Sequence, residues 1–142
     1  MIRVLRLVAP FLLSALLCAP ALASEPSLYQ RLGGEIVVTK IVEQAIKRVV
    51  DDPEVNQSFH KVDLVKLDKL LVEQICSLTG GGCKYSGEDM KTVHAGLNIT
   101  EREFYAMVEA LRAELDSHNV GEREKNELLR ILAPMKRDVV TK

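Results

Sequence analysis

Residues 80–100 read GGGCKYSGEDMKTVHAGLNIT, a glycine-rich turn followed by a short apolar segment that contains one histidine. Helical spacing over residues 89–97 predicts a short helix with four residues on its inward face. These four residues are Met90, Val93, His94 and Leu97. A buried imidazole is costly unless its ring nitrogens have partners, so His94 is the candidate functional residue of this segment.

The N-terminus has the three parts of a secretory signal peptide. Arg3 and Arg6 form a positive region, residues 7–17 form an apolar region, and residues 21–23 supply small side chains for cleavage before Ser24. The apolar run is too short to span a bilayer. We therefore expect residues 1–23 to be removed, no stable membrane span to remain, and the protein to be exported, with a Gram-negative periplasm as its destination.

The remaining chain, residues 24–142, has the size of a single domain. Removing the signal takes two of the 19 basic residues and none of the 20 acidic ones, which leaves a net charge of about −3 over 119 residues. This balance argues against nucleic acid as a partner. A domain of this length can bury a hydrophobic core.

Two cysteines, Cys76 and Cys83, remain after signal removal. In an oxidising compartment a lone pair of this kind is a disulfide candidate, and the three glycines between them let the backbone turn back. The alternative is two unpaired thiols, one in a helix and one in a loop. We expect the disulfide.

The hydrophobic pattern predicts an all-α domain with four substantial helices. Six apolar residues recur at helical spacing over residues 38–49. Asp63 is a candidate cap for the next helix. Thr100 and Glu103 form a capping box before a third amphipathic helix, and Pro134 is expected to kink the last one. No segment alternates with the period of a strand.

His94 fits several kinds of site. The simplest is a core histidine bonded to a backbone carbonyl. A zinc site would need more ligands nearby, whereas His60 and His118 lie in other predicted elements and the cysteines lack zinc-finger spacing. Nothing in the chain is similar to a nucleophile elbow. A haem would need only one neutral imidazole and an apolar slot between helices.

Two stretches resemble the truncated haemoglobins. Residues 29–34, YQRLGG, are similar to the opening Y-x-x-[IL]-G-G motif of that family. Residues 80–100 resemble the G-G…Y-x-G…M-x-x-x-H-x-G…I-T run of its group 1, and Phe104 and Pro134 also match. The resemblance covers about residues 27 to 140.

This resemblance implies a two-over-two helical globin fold around a haem b. His94 matches the proximal ligand to iron, Phe59 the phenylalanine that packs on the haem, and Tyr85 a residue near a haem propionate. The remaining matches line the haem pocket: Met90, Ile99 and Phe104.

The distal side departs from the family pattern. Ile46 stands where the family commonly has a tyrosine, and Leu71 where it often has a glutamine. Ala45, Leu67 and Ile75 are also apolar, so none of these positions supplies a hydrogen-bond donor to bound O₂. Loss of a buried donor costs roughly 1–3 kcal/mol. We therefore expect weak O₂ binding and easy oxidation to ferric haem, with little loss for CO or NO.

The leading hypothesis is an exported globin that reversibly binds a diatomic gas, either O₂, NO or CO, with NO dioxygenase or weak peroxidase activity left open. A second hypothesis keeps the haem but assigns electron transfer to a redox partner protein, or redox sensing, with His60 and Lys69 as the nearest candidates for a sixth iron ligand. A third is a haem-free helical domain that binds another protein through an apolar groove.

Overall fold

The computed structural model describes residues 24–142 as an all-helical fold without strands in that range. The predicted signal peptide, residues 1–23, lies outside the described residues. Seven α-helices and two short 3₁₀ helices, at Asn56–Phe59 and Ala133–Met135, follow one another along the described chain. The α-helices are α1 (Leu28–Arg31), α2 (Gly34–Val50), α3 (Leu64–Leu78), α4 (Met90–His94), α5 (Glu101–Ser117), α6 (Glu122–Leu132) and α7 (Lys136–Val139).

The central helix is α2, which packs against both α3 and α5. All six of the apolar residues that its pattern placed inward are buried, which confirms that prediction. These are Val38, Ile41, Val42, Ala45, Ile46 and Val49. Its β-branched side chains are poor intrinsic helix formers, so this helix depends on tertiary packing more than on propensity.

Side-chain caps determine where the helices around the site begin. The Asp63 carboxylate accepts a hydrogen bond from the backbone N–H of Lys66 at 3.0 Å and opens α3. Thr100 and Glu103 form the predicted capping box at the start of α5. Each cap satisfies backbone donors that have no partner within the helix. The caps therefore set the positions of the side chains that follow them.

The last helix is interrupted at Pro134, where the sequence predicted a kink. The helix tightens to a 3₁₀ turn over Ala133–Met135 and resumes as α7, because proline lacks the N–H that would continue the α-helical pattern. The chain then turns back along the loop after α4. The backbone N–H of Thr141 donates to the carbonyl of Ile99 at 2.9 Å, and the Ile99 N–H donates to the Thr141 hydroxyl at 3.1 Å.

The predicted helix over residues 89–97 is too long. In the structure α4 ends at His94, and Gly96 adopts a φ of +76°, which a helix does not allow. Val93 and Leu97, which were placed on the inward face, are 44% and 48% exposed. Gly96 and Asn98 were predicted to break the helix, and both adopt a positive φ, +76° and +55°; the helix itself ends two residues before Gly96.

Within residues 24–142 no helix is both long enough and apolar enough to cross a membrane.

Candidate functional site

A cavity of about 420 Å³ lies between the helices and has His94 on its wall. Residues from α2 through α7 line it, and most of its surface is apolar. Its apolar lining includes Val42, Ala45, Phe59, Leu71, Ile75, Phe104, Met107 and Leu129. A concave, largely apolar site with a few convergent polar groups is the usual form of a cofactor pocket.

His94 is held in one orientation by its own helix. The Asp89 carboxylate caps α4 by accepting the backbone N–H of Thr92 at 2.9 Å. One turn later the Nδ1 of His94 lies 2.8 Å from the carbonyl oxygen of Met90. A carbonyl can only accept, so Nδ1 carries the proton and Nε2 keeps its lone pair. The arrangement leaves Nε2 as a metal ligand whose ring is already oriented.

The cavity brings together six of the residues that sequence reasoning assigned to cofactor binding. They are Phe59, Leu71, Met90, His94, Ile99 and Phe104. They come from five segments: the connector after α2, helix α3, helix α4, the loop that follows α4, and helix α5. The fold places these residues around one space although they are distant in the chain.

Three other predicted residues lie away from the cavity lining. Ile46 is 3% exposed and belongs to the main hydrophobic core, and Leu67 packs at the edge of that core. Tyr85 donates its hydroxyl to the carbonyl of Glu88 at 3.0 Å, and burial raises the pKa of its phenol. Contacts of these three side chains with a haem stay predictions.

Gln74 is a cavity residue that sequence reasoning missed. It lies on α3, lines the cavity, and is 8% exposed. Its Nε2 lies 3.4 Å from the sulfur of Met90. Its position was open to prediction, because Gln74 is three residues after Leu71 and one before Ile75, on the same helical face. Hydrophobic periodicity considers apolar residues only, and so it did not identify Gln74 as a residue of this face.

Other polar residues of the lining are held by partners of their own. The Ser58 hydroxyl donates to Glu103, and the Lys136 ammonium donates to Tyr105 at 2.9 Å and pairs with Glu101 at 2.7 Å. Although burial opposes the shift, hydrogen bonds from Ser58 and from the α5 cap hold the pKa of Glu103 below its usual range. These groups form the polar edge of the cavity.

The loop from α3 to α4 is fastened to the end of α3. The Cα atoms of Cys76 and Cys83 lie 5.6 Å apart, a separation that suits a disulfide. Ser86 donates both its N–H, at 3.1 Å, and its hydroxyl to Glu73. The Lys69 ammonium, 2.7 Å from the Glu73 carboxylate, lowers the pKa of Glu73 most, and together with the two Ser86 bonds it brings that pKa to about 2. The start of α4 is thereby fixed relative to α3.

The residues present fit a haem b. The cavity offers one imidazole with a free Nε2, apolar walls from α2, α3 and α5, and aromatic side chains at Phe59 and Phe104. An apolar slot with a single oriented histidine is what a five-coordinate haem iron requires.

Comparison with known proteins agrees with this geometry. The family model described as "Bacterial-like globin" matches residues 27–141. A group 1 truncated hemoglobin of Tetrahymena pyriformis is 28% identical over 116 residues, which cover 82% of this chain and 96% of that protein. One from Mycolicibacterium paratuberculosis is 29% identical over 119 residues, with 84% and 88% covered.

Solved structures of similar proteins share the fold. The truncated hemoglobin of Tetrahymena pyriformis in its Fe(III) form superposes with a TM-score of 0.77 at 28% identity, covering 82% of this chain and 100% of that one. A 2/2 hemoglobin of Synechococcus, solved in the cyanomet state with covalently attached heme, gives 0.75 at 27% identity, with 82% and 100% covered. The chain therefore belongs to the bacterial-like globin family, as a group 1 truncated hemoglobin.

Proposed function

We propose that this protein binds haem b in the cavity through His94 and reversibly binds a diatomic gas there. One observation carries the proposal: His94 lines the cavity with Nδ1 bonded to the Met90 carbonyl, so that Nε2 is available to iron. A core histidine bonded to a backbone carbonyl would account for the contact of Nδ1 but not for the position of His94 on the wall of an apolar cavity.

A haem bound here would supply the iron that takes up the gas, and the chain supplies the surroundings of that iron. The Met90 carbonyl accepts a hydrogen bond from Nδ1–H of His94, which fixes the tautomer, orients the ring and raises the basicity of Nε2. Phe59 and Phe104 contribute flat apolar surface to the cavity. Together these groups would orient the haem and surround it with mostly apolar side chains.

The wall formed by α2 and α3 is almost wholly apolar, and this supports a lower affinity for O₂ with little effect on the affinity for CO. Val42, Ala45, Leu71 and Ile75 line it. A hydrogen-bond donor stabilises bound O₂ but stabilises bound CO much less, because bound CO carries less negative charge. We expect O₂ affinity to be about one to two decades below that of a site with a strong donor, from roughly 1–3 kcal/mol of lost interaction.

Export and a disulfide complete the proposal. The N-terminal sequence supports removal of residues 1–23, and the 5.6 Å Cα separation of Cys76 and Cys83 supports their pairing. Mass spectrometry of protein from the periplasmic fraction tests both. A chain that begins at Ser24 and is two mass units lighter than the reduced form is expected. A chain retained in the cytoplasm with both thiols free would contradict both.

The absorption spectrum of the purified protein tests the haem assignment. Protein supplied with haem is expected to show a Soret band in the ferric, ferrous and ferrous-CO states, and His94→Ala is expected to lose or weakly retain the haem. His118→Ala is the matched control, because His118 lies at the end of α5 and does not line the cavity. Equal haem retention in the wild type and in His94→Ala would contradict the assignment.

The same spectra separate gas binding from electron transfer. Gas binding requires an open sixth position in the ferrous state, and the side chain of Lys69 is engaged with Glu73 at 2.7 Å on the outer face of α3. Rapid formation of the CO complex is expected. A low-spin ferric spectrum that His60→Ala removes would instead favour an electron-transfer protein.

A further inference from the structure

The connector between α2 and α3, residues 51–63, forms part of the cavity wall. It contributes Ser58 and Phe59 to the lining, and α5 contributes Glu103 and Phe104. The Ser58 hydroxyl donates a hydrogen bond to the Glu103 carboxylate. This bond therefore joins two segments of the wall beside the two phenylalanines that the proposed haem site uses.

The Glu103 carboxylate is held on α5 independently of the connector. One of its oxygens accepts both the backbone N–H of Thr100, at 2.8 Å, and the Thr100 hydroxyl, at 2.7 Å. The other oxygen accepts the Ser58 hydroxyl in a partly buried setting. A hydrogen bond to a charged group is stronger than one between neutral groups. The helix cap therefore presents a fixed, charged acceptor to the connector.

A second contact between the connector and α5 lies in solvent. Arg102 of α5 pairs with Glu54 of the connector, and the two side chains are 65% and 68% exposed. Exposed ion pairs of this kind contribute little to stability. In the part of the chain that the structure describes, no other side-chain hydrogen bond or ion pair joins the connector to α5. The bond from Ser58 to Glu103 is thus the main polar restraint on the position of Phe59.

We propose that the bond between Ser58 and Glu103 is a clasp that limits the release of haem from the cavity, and that acid opens this clasp. The inference rests on the proposed function, because it needs the haem that His94 holds. While the clasp is closed, Phe59 stays on the cavity wall. A protonated Glu103 is a weaker acceptor than the carboxylate, so the connector is then free to move away from α5.

The pH range in which the clasp opens follows from its own hydrogen bonds. Burial acts to raise the pKa of Glu103, but the bonds from Ser58 and Thr100 outweigh burial and hold that pKa below its usual value of 4.5. A group whose pKa is lowered by folding stabilises the folded state fully above its unfolded pKa and loses that contribution as it takes up a proton. The clasp is therefore closed above pH 4.5 and opens below it.

The charged groups around the clasp support the ionised form of Glu103 or have partners of their own. Lys142, from the C-terminal segment, lowers the pKa of Glu103 further. The neighbouring charges on α5 are in ion pairs: Glu101 with Lys136, and Arg102 with Glu54. Acid therefore acts on the clasp through Glu103 itself.

The first experiment follows haem transfer from the haem-loaded protein to apomyoglobin. At pH 7, Ser58→Ala is expected to lose haem about tenfold faster than wild type, with an unchanged Soret band. Ser58→Thr keeps the hydroxyl and is expected to restore the wild-type rate. Arg102→Gln is the matched control, since it removes the exposed contact between the same two segments, and its rate should stay within about twofold of wild type.

The pH profile separates a clasp from a general loss of stability. Below pH 4.5 the rates of wild type and Ser58→Ala should approach each other, because the wild type then loses the charged acceptor that the variant cannot use. Other groups that titrate in acid act equally in both proteins and cancel in the ratio of their rates. Rates that stay in the same ratio from pH 7 to pH 3 would overturn the acid-sensitive clasp.

A second measurement does not depend on haem. The connector contains two backbone hydrogen bonds, from the N–H of His60 to the carbonyl of Gln57 and from the N–H of Val62 to the carbonyl of Phe59. Amide hydrogen exchange at these N–H groups, with and without haem, is expected to be faster in Ser58→Ala than in wild type. Equal exchange in Ser58→Ala and in Arg102→Gln would overturn the inference.

Failure of the inference and failure of the proposed function look different. If the wild-type protein takes up no haem, the proposed function is wrong and the role in haem release falls with it, while exchange in the haem-free protein still shows whether the bond holds the connector. If the wild type binds haem and Ser58→Ala loses it no faster than Arg102→Gln, haem binding stands and only the clasp is overturned.

Discussion

Gly81 lies where the loop after α3 passes directly over the hydrophobic core, and alanine there should be destabilising. A Cβ at this position would lie 2.5 Å from the Cys76 sulfur and 2.6 Å from the Tyr29 ring, whereas unstrained contacts between such atoms are about 3.5–4.0 Å. Neither neighbour has room to retreat, because Cys76 is 0% and Tyr29 is 8% exposed.

The size of the effect follows from this overpacking. Forcing extra volume into a filled core costs about 1–3 kcal/mol. For a domain of this length, a loss of about 2 kcal/mol corresponds to a fall of roughly 6–12 °C in Tm. The cost should be smaller after reduction, because a free Cys76 thiol can rotate away while one bonded to Cys83 cannot.

Thermal and urea unfolding of Gly81→Ala, with and without a thiol reductant, measures this effect. Gly121→Ser is the matched control, since its Cβ would meet only the flexible carboxylate of Glu124 at 2.6 Å and serine is a favourable N-cap for α6. It should stay within about 0.5 kcal/mol of wild type or gain stability. If Gly81→Ala behaved like the control, the loop would be able to lift off the core and the reasoning would be refuted.

Three further predictions concern the surroundings of the cavity. Thr100→Ala removes the cap of α5 and should lower the free energy of unfolding by about 1 kcal/mol in urea titrations. Because bonds from Lys69 and Ser86 lower the pKa of Glu73 from 4.5 to about 2 on folding, they should stabilise the protein fully above pH 4.5 and progressively less towards pH 2. Tm measured against pH in wild type and in Glu73→Gln should therefore converge in acid. Gly87→Ala places a Cβ 2.2 Å from the Tyr85 hydroxyl, so it should displace that ring, and a haem-transfer assay should show faster haem loss if Tyr85 contacts the cofactor.

The helical framework was predictable because its signals are local. The apolar spacing along α2 and the capping residues Asp63 and Thr100 act within one or two turns of the chain, and each is found as predicted. Family membership confirms the two-over-two globin fold and haem b as the cofactor. Residue spacing alone supported only an all-α domain with an unusual histidine.

The cavity was less predictable because it depends on which helix faces which. Ile46 and Leu71 are both inward-facing by periodicity, yet Ile46 packs in the core while Leu71 borders the cavity. Periodicity identifies the buried side of a helix, but it does not identify the position along the helix at which two helices move apart and leave a cavity. Gln74 shows the same limit, since only the approach of Met90 on α4 reveals where its amide points.

The residues that line the cavity are spread along most of the described chain. This spread determines how much of the chain must be synthesised before the cavity can form. Its walls begin at Val42 on α2 and end at Val139 on α7, and the loop after His94 is fastened by the bond from Thr141 to Ile99. A nascent chain that has emerged only as far as α5 thus lacks the wall that α6 and α7 supply. Cofactor capture must then follow synthesis of the whole domain. If the chain crosses the inner membrane unfolded, as the proposed signal implies, haem has to reach it on the far side.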